Sequence, residues 1–133
     1  ATTERLIQQG RHSRVTVVKR DNVDVVIKDV SESEYYENEL VTLLELGDHP
    51  HIIEFIEADK GRLTFKYYPM DLFTYACDYA LPYDVLRTII KGICSGLEFM
   101  HSRFIAHGDI KLENVLIDNG NARLCDFGYS RPF

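Results

Sequence analysis

The stretch that decides the fold is His107-Gly108-Asp109-Ile110-Lys111-Leu112-Glu113-Asn114-Val115-Leu116-Ile117-Asp118. His107, Asp109, Lys111 and Asn114 fall within it and run straight into the apolar Val115-Leu116-Ile117. A solvated loop has no use for a hydrophobic exit, and a core strand has none for so many polar groups at its start. The pattern predicts a reactive loop anchored at its ends. Residues 115–117 and 122–125, joined by Asp118-Asn119-Gly120-Asn121, read as a small hairpin, and Asp126-Phe127-Gly128 follows at once. Asp109, Asn114 and Asp126 are then three hard oxygen donors near the ends of one hairpin. That donor set suits a divalent cation such as magnesium (Mg2+), which also takes phosphate oxygens.

Working back toward the start of the chain, residues 14–19 and 23–29 are rich in Val and Ile, with Asp21-Asn22 as a hairpin turn between them. Period-2 alternation puts Val23, Val25 and Ile27 on one face of the second strand and Asp24, Val26 and Lys28 on the other. Ser31 with Glu34 makes a capping box for a helix carrying Tyr36, Leu40, Leu43, Leu44 and also Glu39, ending at Gly47. Residues 52–58 and 63–68 read as a second hairpin around Asp59-Lys60-Gly61, and residues 71–79 as a short helix stopped by Pro82. A 3.6-period stripe of Leu86, Ile89, Ile90, Ile93, Leu97 and Met100 predicts a long helix over 84–101, with Gly92, Ser95 and Gly96 allowing close packing on its other faces. Strands first and helices later make this an α+β chain.

The 133 residues, 45% hydrophobic and 27% charged, suit one globular domain or two small lobes. A formal net charge of −6 argues against a general affinity for nucleic acid or anionic membrane, so any phosphate site must be local. Cys77, Cys94 and Cys125 lie far apart and form no CxxC pair, which indicates neither a zinc knuckle nor a disulfide framework and favours a reducing compartment. No apolar run reaches the length of a membrane span, and Ala1-Thr2-Thr3-Glu4-Arg5 lacks the core of a signal peptide. We expect a soluble, intracellular, cytoplasmic protein, with the nucleus left open.

Phosphoryl transfer needs mostly positioning and charge neutralisation, with one carboxylate aimed at the attacking hydroxyl. Lys28 can supply a positive charge opposite the oxygen cluster. Val25-Val26-Ile27-Lys28, Glu39, His107-Gly108-Asp109-Ile110-Lys111 with Asn114, and Asp126-Phe127-Gly128 stand in the order found in the eukaryotic-type protein kinases. The chain resembles the N-lobe and hinge of that family over residues 1–68 and part of its C-lobe over residues 69–133.

The resemblance implies roles residue by residue. Asp109 would be the base for the substrate hydroxyl, and Lys111 would steady the transferred phosphate. Asn114 and Asp126 would hold magnesium. Lys28 would contact the α and β phosphates of ATP and pair with Glu39. Ile7 and Gly10 lie in the loop that covers the nucleotide; Val15 and Val26 would cover the adenine and Leu116 would lie beneath it. Phe65 falls at the gatekeeper position, and Lys66-Tyr67-Tyr68 would be the hinge. Lys111, two positions after the base, resembles the serine/threonine group, which implies a protein substrate with Ser or Thr hydroxyls.

Three features depart from the family pattern. The phosphate loop Ile7-Gln8-Gln9-Gly10-Arg11-His12-Ser13 keeps only the middle of three glycines, with Gln8 and Ser13 in place of the others. Gly108 stands where regulated kinases carry the arginine that receives an activation-loop phosphate, so activation of that kind is not expected. The chain also stops soon after Asp126-Phe127-Gly128, about half-way through a kinase domain, so a partner chain or self-association is expected over the face left open. Two other readings stay open: a small-molecule phosphotransferase of the aminoglycoside- and choline-kinase type, in which HGD is frequent, and a non-catalytic nucleotide-binding or scaffold module.

Overall fold

A computed structural model describes residues 4–133; Ala1, Thr2 and Thr3, which bear on the signal-peptide reading, lie outside the described residues. Strands β1 (Glu4–Gln9), β2 (Ser13–Arg20), β3 (Val23–Val30), β4 (Phe55–Asp59) and β5 (Arg62–Lys66) form one antiparallel sheet in the order β1-β2-β3-β5-β4. The hairpin turns follow from local chemistry. Asp21 and Asn22 both adopt positive φ (50° and 64°), and Lys60-Gly61 repeats the arrangement between β4 and β5 (45° and 83°). Two successive left-handed residues match the twist of the strands they join.

Helix α1 (Ser33–Leu46) crosses behind the sheet and ends at Gly47, whose φ of 64° closes the last turn with its N–H on Leu43 O. The capping box does not form. Ser31 gives its N–H and its hydroxyl to His12 O, and Glu32 takes the cap position with its carboxylate on the His12 ring and not on the helix N–H groups. A contact across the sheet has displaced the local motif.

After β5 the chain makes the two-residue strand β6 (Met70–Asp71) and helix α2 (Leu72–Asp78), capped by Asp71 accepting from Thr74 N at 2.7 Å. Helix α3 (Tyr83–Ser102) is followed by β7 (Ile105–Ala106), a single 3-10 turn at Leu112–Asn114, the hairpin of β8 (Val115–Asp118) and β9 (Asn121–Leu124), and β10 (Arg131–Pro132). β6 pairs with β8, and β10 closes back on β7; none of the two-residue strands β6, β7 and β10 carries a pattern long enough to read.

Two further expectations need correction. Ile52 and Ile53 do not begin β4; they leave the sheet to bond β9, with Leu124 N on His51 O at 2.8 Å and Ile53 N on Leu124 O at 2.9 Å. The apolar stripe of α3 is also rotated. Gly92 and Gly96 lie on the buried face with Ile89 and Met100, while Leu86 and Ile90 are exposed. A Cβ at Gly96 would stand 2.9 Å from Leu124 Cδ1 and 3.0 Å from His51 O, so the glycines admit β9 and the 51–53 segment to the helix surface. The core then runs without a break from Leu43 and Leu63 through Ile52 and Leu124 to Ile89, Met100 and Phe127. Among the described residues no helix is long and apolar enough to cross a membrane.

Candidate active site

The site is built where β3, α1 and the β8–β9 hairpin converge. β3 alternates as the sequence predicts: Val25 is buried on one side, while Val26 and Lys28 face a cleft of about 310 Å³ on the other. Lys28 Nζ lies 2.6 Å from Glu39 Oε1 and 3.2 Å from Asp126 Oδ1. Burial by itself would drive the Lys28 proton off, but the two carboxylates outweigh it and hold the ammonium above its usual range. The mirror argument holds for Asp126. Burial favours its neutral form, and the Lys28 charge overrides this to hold its carboxyl below the usual range.

Glu39 is 2% exposed and reaches both ways, its second oxygen accepting from Phe127 N at 3.1 Å. One side chain of α1 thus joins the sheet to the Asp126-Phe127-Gly128 turn. Asp126 itself has φ 62°, a left-handed conformation that costs a non-glycine residue about 1 kcal/mol. Phe127 is fully buried, its ring 5.3 Å from that of His107.

His107 has a structural task. Its Nδ1 accepts from Asp109 N at 3.1 Å, so Nε2 carries the proton and donates to Cys125 O at 2.8 Å. Burial keeps the ring neutral and its pKa below the ordinary value, against the pull of that carbonyl and the nearby carboxylates. Asn114 donates to Asp109 O at 2.9 Å and to Asp109 Oδ2 at 3.1 Å, while Lys111 Nζ stands 3.8 Å from Asp109 Oδ2. With its NH2 committed, Asn114 is left with its amide oxygen to offer a cation. Among the described residues no three His, Cys, Asp or Glu side chains come close enough to cage a metal. The oxygen pair of Asn114 and Asp126 therefore fits a cation that draws its other ligands from phosphate and water, as magnesium does.

Ile7, Val15, Val26, Lys28, Glu39, Lys66, Tyr68, Leu116, Asn114 and Asp126 all line the cleft. Gly10 does not: it lies along a separate shallow groove with Arg11 and Lys60. Asp109 and Lys111 are also outside the lining, joined to it through Asn114. Phe65 is buried at the back of the cleft beside Phe55. The site also includes residues that sequence reasoning missed. Asp71 and Thr74, which open α2, line the cleft, and Glu113 adds a carboxylate; Gln8 and Ser13 line it where the family's glycines would be. Cys125 reaches the cleft too, with its thiol pushed up by burial and so held protonated.

All of residues 1–133 match the family model described as the protein kinase domain. The chain belongs to the protein kinase family. It is similar to cyclin-dependent kinase 4 of Xenopus laevis, with 34% identity over 107 residues, covering 71% of this chain and 34% of that protein. Cyclin-dependent kinase D-1 of Arabidopsis thaliana is 37% identical over 101 residues, 70% of this chain and 25% of the relative. The serine/threonine-protein kinase fused of Drosophila melanogaster is 34% identical over 140 residues, 95% of this chain and 17% of the relative. This chain therefore spans about a third or less of each of these kinases. Its five-stranded sheet with α1 is a kinase N-lobe, and α2, α3 and the hairpin begin a kinase C-lobe. Membership in the family carries with it the general use of ATP and a divalent metal.

Proposed function

We propose that these residues form the nucleotide-binding and catalytic-loop part of a kinase that transfers a phosphoryl group from ATP to Ser or Thr hydroxyls of proteins. One observation carries the reading: the Lys28 ammonium sits between Glu39 and Asp126 at the wall of a cleft that also holds Asn114. Residues 1–68 would supply the cover and hinge, and residues 69–133 the floor. Adenine would lie between Val15 and Val26 above and Leu116 below, against the Lys66-Tyr67-Tyr68 segment. Lys28 would hold the α and β phosphates.

Asn114 and Asp126 would hold magnesium, which when bound neutralises charge on the phosphate oxygens. Asp109 would accept the proton of the attacking hydroxyl. Asn114 fixes its carboxylate, and Lys111, close to the same oxygen, is placed to steady the γ-phosphate as it moves. The exposed outer face of α3 around Tyr83, Leu86 and Ile90 would be covered by a partner chain or a second copy.

A thermal-shift titration with ATP, with and without magnesium, tests the reading on the 133-residue chain. The parent should show a magnesium-dependent rise that Asp126→Ala and Lys28→Met both lose. An unchanged rise in the two variants would place the nucleotide elsewhere. Transfer onto Ser/Thr peptides and none onto aminoalcohols separates a protein kinase from a small-molecule phosphotransferase.

A further inference from the structure

At Gly108 the catalytic loop packs directly against the chain that follows Asp126-Phe127-Gly128. Its φ is +85°, and a Cβ built there would stand 2.3 Å from Tyr129 O and 3.0 Å from Tyr129 C. Real side chains do not approach backbone so closely, so any other residue would push either the loop or residues 128–130 away. The same short segment is held from the opposite side by α1. Asn38 Nδ2 donates to Gly128 O and to Ser130 O, both at 2.9 Å. The Ser130 hydroxyl donates to Phe127 O at 2.7 Å, so the 2.6 Å bond between Thr42 Oγ1 and Ser130 Oγ has Thr42 as its donor. Thr42 and Ser130 are buried, at 6% and 1% exposure. The Tyr35 ring meets Tyr129 edge-on at 5.6 Å.

We propose that Gly108, Asn38 and Thr42 are positioning residues: they clasp residues 128–130 between the catalytic loop and α1 and thereby hold the Asp126 carboxylate in the orientation that a nucleotide-bound cation requires. This rests on the reading of Asp126 given above. Asp126 sits in a left-handed conformation, and such a conformation persists only when the residues around it are over-determined. Its side chain has two bonds, to Lys28 Nζ and to Gly128 N, and the second is long at 3.4 Å. The backbone just downstream is where the constraint is concentrated. Asn38 and Thr42 register the position of α1 through that backbone, separately from the pair that Glu39 makes with Lys28. Gly108 makes the clasp possible without a charged group: a carbonyl fits where a side chain would have stood.

The test uses the 133-residue chain with two readouts: the factor by which magnesium tightens ATP binding in calorimetry, and amide hydrogen exchange at Phe127 and Ser130. Asn38→Ala and Gly108→Ala should each cut the magnesium factor and speed the Ser130 amide by about tenfold, the size expected for lost hydrogen bonds. ATP affinity without magnesium should stay as in the parent. The slow amides of α3 should stay as in the parent in Asn38→Ala and keep most of their protection in Gly108→Ala, whose strain lowers global stability. Parent-like magnesium factors and protection in both variants would overturn the clasp. Asp126→Ala separates the two levels. If it abolishes the magnesium factor while the clasp variants keep it, the clasp alone is wrong; if it leaves the factor intact, the nucleotide reading is wrong. Should Gly108→Ala lose the protection of α3 and so fail to fold, Asn38→Ala and Thr42→Val decide the matter by the same readouts.

Discussion

Gly10 lies in the loop over the cleft and Gly108 in the loop beneath it, and a methyl group would be received very differently at the two. At Gly10 an added Cβ would meet Ser13 O and Ser13 Oγ at 3.7 Å, ordinary contacts; at Gly108 it would collide with a carbonyl in a left-handed backbone. Their surroundings differ in the same sense. Every residue of β1 is exposed, and this edge strand is held by its ladder to β2 with a bulge between Leu6 and Gln8. In the floor, His107, Asn114 and Phe127 are all at most 5% exposed: His107 meets Phe127 edge-on, His107 and Asn114 both bond the Cys125 backbone, and the equally buried Glu39 of α1 bonds Phe127 N from above. The roof can open locally at little cost, whereas the floor moves as a unit. That division suits phosphoryl transfer, in which the nucleotide must enter and leave while charges are aimed from fixed positions.

Four perturbations, from the largest expected effect to the smallest, would break or sharpen this contrast. Phe127→Ala should destabilise the chain by about 4 kcal/mol, because a fully buried ring leaves a cavity the floor cannot refill. Urea unfolding measures it, and a loss under about 1 kcal/mol would mean that the floor is not tightly packed. Lys28→Met should cost about 3 kcal/mol in the same assay by leaving the buried Glu39 carboxylate without its counter-charge. Acid comes next. Since His107 has a depressed pKa in the folded chain, its stabilising effect is complete above about pH 6.5 and is lost as the pH falls toward the folded value, where the unfolded state binds the extra proton. The unfolding midpoint should therefore drop between pH 7.5 and 5.5, values bracketing about 6.5. His107→Gln should flatten the drop without removing it, because burial also depresses His49. Gly10→Ala should stay within about 0.5 kcal/mol of the parent and bind ATP as well; a penalty matching that of Gly108→Ala would erase the contrast between roof and floor.

What the sequence made legible was the local chemistry. Asp21-Asn22 and Asn119-Gly120 announce left-handed turns because few residues tolerate them, and both are present with positive φ. The period of 2 was enough to put Val26 and Lys28 on one face. Contacts between distant segments left weaker traces. Ser31 has the composition of a cap but spends its hydrogen bonds on His12, nineteen residues away. Ile52 and Ile53 look like strand residues, and their partner is Leu124 on the far side of the core. In α3 the apolar stripe gives the period correctly, yet the buried face is fixed by how near β9 can come, which depends on Gly92 and Gly96. Asn38 and Thr42 belong to no motif. Only the position of the segment after Phe127 gives them work.

The two backbone bonds that tie His51 and Ile53 to Leu124 also have a mechanical consequence. They pin residues 51–53 to the hairpin that follows the catalytic loop, in addition to the chain crossing at residues 66–69 and the bonds from α1 to residues 127–130. Any rocking of the sheet over the helices would therefore leave residues 51–53 nearly still and be felt most at segments these ties do not hold, such as the exposed strand β1. A distance probe on β1 would report such a movement more sensitively than one at residues 51–53.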